Sequence, residues 1–343
     1  MTAGLLGFAV AGLLPEGDPA RTLRRAMWLI VAASLVAALS PVFAVLLLAR
    51  AAQGVGVGLL VAGGLADIAR NHPASLGGRL TGSLIGGTAI GGLLSRLTGY
   101  SALWLGWRAA FAVGGVLALA FLSFALNRLS GTGPENGGIR VGGPPGGRGA
   151  GVPVGLVVAG FGILFVNIAV FDLLPYRLAG PPFHLPTALA DLVYLAFVPA
   201  LVTAGLAGRA IDRFGARAVV LATAVIGIGC LLTGLLPSLP AAAVMATGSI
   251  SGAVALHTAH SGAAAAHGRV AVGRYLTAYY VGGALAAPLL AAAYQAGGWT
   301  GAVLPLCAAW AAVAMLAFFS PASRWRRETG PGSPPPEPLP AAP

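Results

Sequence analysis

The chain has 343 residues, of which 57% are hydrophobic and only 8% charged, with a mean hydropathy of +0.86. A soluble domain carries roughly 25% charged residues, so a water-soluble globular protein is excluded; a transmembrane barrel is excluded too, because it needs short segments of alternating hydrophobicity. The formal net charge of +11 comes from 20 basic residues, all Arg, which stand in small groups between apolar runs as topology determinants do and form no stripe that would track nucleic acid.

In chain order, residues 1–14 read as a short apolar piece and 15–25 as a charged loop. Apolar spans follow near 26–40, 42–66, 80–100 and 105–126, close to the roughly 20 residues that cross a hydrocarbon core of about 30 Å. Residues 127–152, "NRLSGTGPENGGIRVGGPPGGRGAGV", are rich in Gly and Pro without apolar periodicity, the composition of a flexible linker. Six more spans follow near 153–174, 188–208, 218–236, 239–262, 272–295 and 299–319, before a Pro-rich tail read as disordered, 321–343. The expected organisation is an incomplete N-terminal bundle (1–126), a linker (127–152), a six-helix bundle (153–320) and a tail. Cys230 and Cys307 both lie in apolar segments and read as packing residues, not a disulfide.

The two bundles resemble each other. "GWRAAFAVGGVLALAF" from Gly106 parallels "GWTGAVLPLCAAWAAVAMLAFF" from Gly298, and "GGTAIGGLL" from Gly86 parallels "GGALAAPLL" from Gly282, in the same order. Such internal repetition marks duplicated transporter folds. With the linker placed on the cytoplasmic side, 16 of the 20 Arg fall inside, only Arg96, Arg108 and Arg177 fall outside, and Arg50 lies within a span. That is a strong positive-inside bias.

The stretch "AGLAGRAIDRFGAR" (204–217) carries most of the charge of its neighbourhood. Its core, Gly208-x-x-x-Asp212-Arg213-x-Gly215-x-Arg217, resembles the loop signature of the major facilitator superfamily, G-x-x-x-D-R-x-G-R-R. The residue types suit a tight joint: glycines let a helix end and a neighbour approach, and an Asp can accept hydrogen bonds from a helix N-terminus or pair with Arg. In the family this loop latches the two halves, which implies a gating role for Gly208, Asp212, Arg213, Gly215 and Arg217. A second copy, "AGLLPEGDPARTLRR" (11–25), keeps Asp18, Arg24 and Arg25 but lacks the trailing Gly and has Leu14 in place of Gly208.

"ARAAQGVGVG" (49–58) resembles the R-x-x-Q-G motif of proton-coupled efflux members. Arg50 stands about 12 Å of helical rise into its span, where a charge needs a partner or a wet cavity, and Gln53 follows on the same face. "LLPYRLAGPPFHLP", "YLTAYYVGGALAAPLL" and "GWRAAF" are similar to bacterial members of YnfM type, described as efflux permeases related to arabinose and drug exporters. The resemblance covers nearly all of residues 10–320. One departure is the fifth helix, where "LIGGTAIGG" has the glycines of drug–proton antiporters without their Pro; Gly86, Gly87, Gly91 and Gly92 are still expected to allow close helix packing.

The remaining polar residues divide by position. Asp172 can titrate in a low-dielectric cavity or sit at the interface, whereas Asp191 and Asp67 read as interfacial or loop-facing. Asn167, His257, Tyr279 and Tyr280 are candidate cavity-lining residues. His257 and His260 at i, i+3 lack a third ligand to close a metal site. "GSISG" has the wrong spacing for a serine nucleophile paired with a neighbouring His, and without Lys there is no phosphate loop for ATP-driven transport.

The reading is an all-α polytopic membrane protein with the major facilitator fold, not an enzyme, with no cofactor and no bound metal. The implied function is secondary active transport, a proton-coupled efflux of a small organic solute by alternating access. Arg50, Gln53 and Asp172 are the candidate coupling residues. The expected partners are the solute, protons and the lipid bilayer, without nucleic acid; the expected state is a monomer in the bacterial inner membrane, with linker and C-terminus cytoplasmic. The alternative is a degenerate or truncated, non-transporting paralogue. Asp18 has only 17 residues ahead of it, and 1–14 falls short of the roughly 17–25 residues a span needs, so an N-terminally truncated bundle with about 11 helices in all is expected.

Overall fold

The computed structural model describes residues 19–72, 76–130 and 153–319, and within them the secondary structure is helical. Before the linker come α1 (Pro19–Leu39), α2 (Phe43–Asn71), α3 (Gly77–Leu105) and α4 (Trp107–Ser130). After it come α5 (Val154–Ala179), the single turn α6 (Thr187–Ala190), a 3-10 turn (Asp191–Ala196) leading into α7 (Phe197–Phe214), then α8 (Ala216–Thr233), α9 (Leu239–Ala266) and α10 (Arg269–Phe319). α10 is two spans, broken at Gly297 and Gly298, whose backbone angles are not helical. The expected span 1–14, Asp18, most of the linker and the tail lie outside the described residues.

Seven of these helices are long and apolar enough to cross a bilayer. Large apolar side chains such as Leu39, Leu48, Val225 and Ile226 are more than half exposed on their outer faces, which suits lipid, the one solvent that accepts such a surface. The chain is a multi-pass membrane protein.

Several ends differ from the expected boundaries for local reasons. α5 continues past 174 through Pro175, and Arg177 then fixes its end, donating from Nη1 to the Pro181 carbonyl at 2.6 Å. A cation there also suits the negative end of the helix dipole. α7 runs on to Phe214, beyond the expected 208, because the backbone leaves the helix only at Gly215, with φ +84°. The 204–217 signature is therefore the last turns of α7, the Gly215 joint and the first turn of α8, with no longer loop between them.

The two halves share a turn. Gly106 (φ +79°) joins α3 to α4, and Gly298 (φ +60°) joins the two limbs of α10. Both are followed by Trp, and both turns are tied to the end of another helix. Arg108 donates to the Ser40 carbonyl just past α1 at 3.0 Å, and Trp299 Nε1–H donates to the Gly234 carbonyl at the end of α8 at 2.6 Å. The same joint recurs with a different donor.

Because consecutive helices alternate in direction, Arg79, Arg209, Arg213, Arg217 and Arg274 gather at one end, the arginine-rich end, and the two Gly-Trp turns at the other. The main core lies in the second half, between α5, α8, α9 and α10. Trp310 is fully buried and fills a slot left by Gly227 on α8 and Gly252 on α9; a Cβ at Gly252 would lie 2.6 Å from the indole.

Candidate functional site

At the arginine-rich end, α7 of the second half meets α3 of the first. The Asp212 carboxylate accepts from the backbone N–H of Gly78 (Oδ1, 2.9 Å) and of Arg79 (Oδ2, 3.1 Å), the free donors of the first turn of α3. Glycine sets how close these helices come. A Cβ at Gly208 would stand 2.6 Å from the Gly78 carbonyl and 3.0 Å from Arg79 Cα, and one at Gly82 would stand 2.5 Å from the Ala204 carbonyl. Farther along, Gly86 meets Ala204 and Gly92 meets Phe197, whereas Gly87 and Gly91 face open space. Only two of the four glycines expected at a helix contact are used there. Gly78 and Gly82 were missed, although their spacing of four with Gly86 is the small-residue repeat of close helix pairs.

The other residues of the signature do not cross between halves. Arg213 lies over the ring of its neighbour Phe214. Arg217, first turn of α8, donates to the Phe318 carbonyl and lies over the Phe318 ring, which holds the end of α10 within the second half. Beside the joint, Val61, Ala62 and Leu65 of α2 pack with Leu156 of α5, Ala264 of α9 and Val272, Tyr275 and Leu276 of α10. This apolar plug joins the halves at the same end.

Arg50 is the eighth residue of α2. Its Nη1 donates to Gln53 Oε1 at 2.6 Å, Gln53 Nε2 donates to Ser34 Oγ on α1 at 2.7 Å, and Ser34 Oγ–H donates to the Ile30 carbonyl at 2.7 Å. Gly115 on α4 leaves room for Ser34, with a Cβ there 3.3 Å away. The guanidinium also lies over the Phe111 ring, 5.6 Å from its centre. Among the described residues no carboxylate pairs with Arg50. The arrangement orients a cation and leaves its charge for another anion.

In the second half the candidate residues spread along α5, α9 and α10. Asn167 is buried and its Nδ2 has no hydrogen-bond partner. Asp172, five residues farther along α5, is half-buried, as is Asp191 at the start of the 3-10 turn. His257 Nδ1 lies 2.6 Å from Tyr275 Oη, and its ring stacks on Tyr279 with centres 4.1 Å apart. Tyr279 stands edge-on to Tyr280, which packs against the plug. Tyr275, one turn before Tyr279 on α10, was not singled out from sequence, yet it links His257 to the plug. Among the described residues no three His, Cys, Asp or Glu converge to hold a metal.

No family model matches the chain. It is 28% identical over 194 residues to YybF, an MFS-type transporter of Bacillus subtilis strain 168; the match covers 53% of this chain and 46% of that protein, so the chain matches about half the length of this relative. Among solved structures, the major facilitator superfamily transporter FucP in the outward conformation superposes with a TM-score of 0.71 at 13% identity, over 93% of this chain and 88% of that one. The human organic anion transporter MFSD10 gives a TM-score of 0.68 at 19% identity, over 92% and 82%. The proton:xylose symporter XylE gives 0.69 at 18% identity, over 93% and 84%. The four helices before the linker and the six traversals after it, among the described residues, are thus arranged in the major facilitator fold.

Proposed function

We propose that the chain is a secondary active transporter of the bacterial inner membrane that exports a small organic solute against proton entry by alternating access. The observation that carries this reading is the joint of Asp212 with the start of α3. One carboxylate, two backbone N–H groups and a glycine contact hold the halves at one end, and they can part without unfolding either half. By the positive-inside rule the arginine-rich end faces the cytoplasm, together with the linker and the tail. Helices α1–α4 move as one body and α5–α10 as the other, and the likeness to FucP in its outward conformation supports a closed cytoplasmic end.

Arg50, aimed by Gln53, takes the anionic group of the solute or a carboxylate that exchanges protons, with Asp172 as the second coupling carboxylate. Asn167, Tyr279 and Tyr280 contact the solute. Efflux rests on the R-x-x-Q-G resemblance; FucP and XylE are named as sugar:proton symporters, so direction is part of the test.

Purified protein in vesicles, loaded with candidate solutes under an imposed pH gradient, tests the reading. Solute movement is expected to stop when an ionophore collapses the gradient, and Arg50→Ala is expected to lower coupled flux at least about tenfold, as loss of one charged contact does. Flux indifferent to the gradient sinks the coupling, and full coupled flux in Arg50→Ala sinks the Arg50 assignment. A folded protein that moves no solute favours the non-transporting paralogue.

A further inference from the structure

We propose that His257 and Tyr275 form the proton site whose occupancy opens the arginine-rich end. The inference rests on the transport reading and names where the coupled proton acts. His257 is 5% exposed, and the residue it bonds, Tyr275, is fully buried within the plug between α2 and α10. The imidazole is thus bonded to a piece of the gate itself.

In the neutral state the pair is satisfied, with the Tyr275 hydroxyl donating to Nδ1 or Nδ1–H donating to the hydroxyl, 2.6 Å apart. Ser261 Oγ stands 3.4 Å from the same nitrogen. His260, one turn on, donates from Nδ1–H to the Leu256 carbonyl at 2.8 Å. A proton added to the ring nitrogen of His257 that lacks one makes both nitrogens donors, so Tyr275 can only accept, and where its hydroxyl had donated to Nδ1 that proton must turn elsewhere.

The groups around the resulting cation do not neutralise it. From α9 they are His260 and Ser261; from α10, Tyr275 and Tyr279, with Tyr280 beyond. α2 presents Val61, Ala62 and Leu65 to the plug, and α5 presents Gly160 to Tyr275. Arg274, next to Tyr275, is exposed. Of the carboxylates on the packed elements, Asp67 faces His72 at 3.8 Å and Asp212 is held by α3. Asp172 is twelve residues along α5 from Gly160, about 18 Å of helical rise, and Asp191 opens the 3-10 turn ahead of α7, toward the end opposite the plug.

A cation without a counter-charge in a dry contact is costly, and water relieves it. Protonation therefore favours the state in which the plug parts. Deprotonation restores the neutral pair and the closed end.

The test is a distance measurement across the plug. Spin labels on Leu76→Cys and Val270→Cys, in full-length protein with Cys230 and Cys307 replaced by Ser, report opening without solute. Titration of one site changes an equilibrium by up to about tenfold per pH unit. Between about pH 8 and about pH 5.5 the open-to-closed ratio is expected to rise at least about tenfold with His257 present. In His257→Gln it is expected to stay within about twofold, while His267→Gln, at the end of α9, follows the native profile. A native-like rise in His257→Gln overturns the proposal.

If His257→Gln does not fold, Tyr275→Phe preserves the plug volume and is expected to move the midpoint by at least about half a pH unit; an unmoved midpoint is equally fatal. The readout needs no flux. A pH-dependent distance in a protein that transports nothing assigns the failure to the transport reading, whereas flux with a pH-independent distance assigns it to this site.

Discussion

At the arginine-rich end contacts cross between the halves, Asp212 of α7 to the backbone of α3, Gly208 against Gly78 and the α2 plug against α10, beside one tie within the second half, Arg217 to Phe318. At the opposite end the hydrogen-bonded ties run within a half, and the halves meet through the apolar contact of Gly92 with Phe197. Arg108 joins α4 to the end of α1, and Trp299 joins the second limb of α10 to the end of α8. On the proposed alternating access, one end holds or releases the halves, while the other keeps each half rigid. Substitutions at the first end are expected to change which end is open, and those at the second to change stability alone.

The sharpest way to break this contrast is Gly208→Leu. Its Cβ meets backbone atoms of Gly78 and Arg79 at 2.6 and 3.0 Å, and backbone cannot rotate aside as a side chain can. Overpacking of this kind costs about 1–3 kcal/mol, here against the closed state only, so the open-to-closed ratio rises about tenfold or more. On the proposed function, solute flux falls accordingly, because an alternating-access cycle needs both states. Spin-label distances across the plug check the first effect and vesicle flux the second; an unchanged distance distribution shows that the halves do not separate at α3 and α7.

Asp212→Ala acts at the same end with a smaller effect. It removes the acceptor for two N–H groups at the start of α3 and the favourable charge at the positive end of that helix, a capping loss of about 1 kcal/mol. The open-to-closed ratio is expected to rise about fivefold, with Asp212→Asn between it and the native protein. A distance distribution equal to the native one in Asp212→Ala leaves the plug alone as the joint.

The apolar spans between residues 26 and 319 and the signature around Asp212 were legible in the sequence because bilayer thickness and charge placement are one-dimensional properties. Which face of each helix meets which neighbour was not. A helix bathed in lipid is apolar all round, so its hydrophobic pattern gives little azimuth. That is why Gly87 and Gly91 were expected in contacts they do not make, while Gly78, Ser34 and Tyr275 went unremarked although each partners a residue that was singled out. Arg217 illustrates the same limit: the signature identified it, but its partner, Phe318, lies 101 residues away and follows only from how α8 packs on α10. Two signals of azimuth were present, the glycine spacing 78, 82, 86 and the Arg50–Gln53 pair on one face of α2.

Trp299→Phe probes the opposite end and the smallest effect. It keeps a smaller aromatic ring at the Gly-Trp turn and removes the hydrogen bond from Nε1–H to the Gly234 carbonyl, worth about 1 kcal/mol in net stability. The carbonyl lies at the end of α8, where carbonyls lack helical partners, so its loss loosens α8 against α10 inside the second half. A fall in melting temperature of about 2 °C is expected, with no change in the spin-label distance across the plug. Arg108→Met makes the matching test in the first half, since it retains a long apolar stem beside Trp107 and loses the donor to Ser40. If either substitution shifts the open-to-closed ratio as Asp212→Ala is expected to, the two ends are coupled through the helices themselves, and rigid halves rocking about a joint no longer describe the motion.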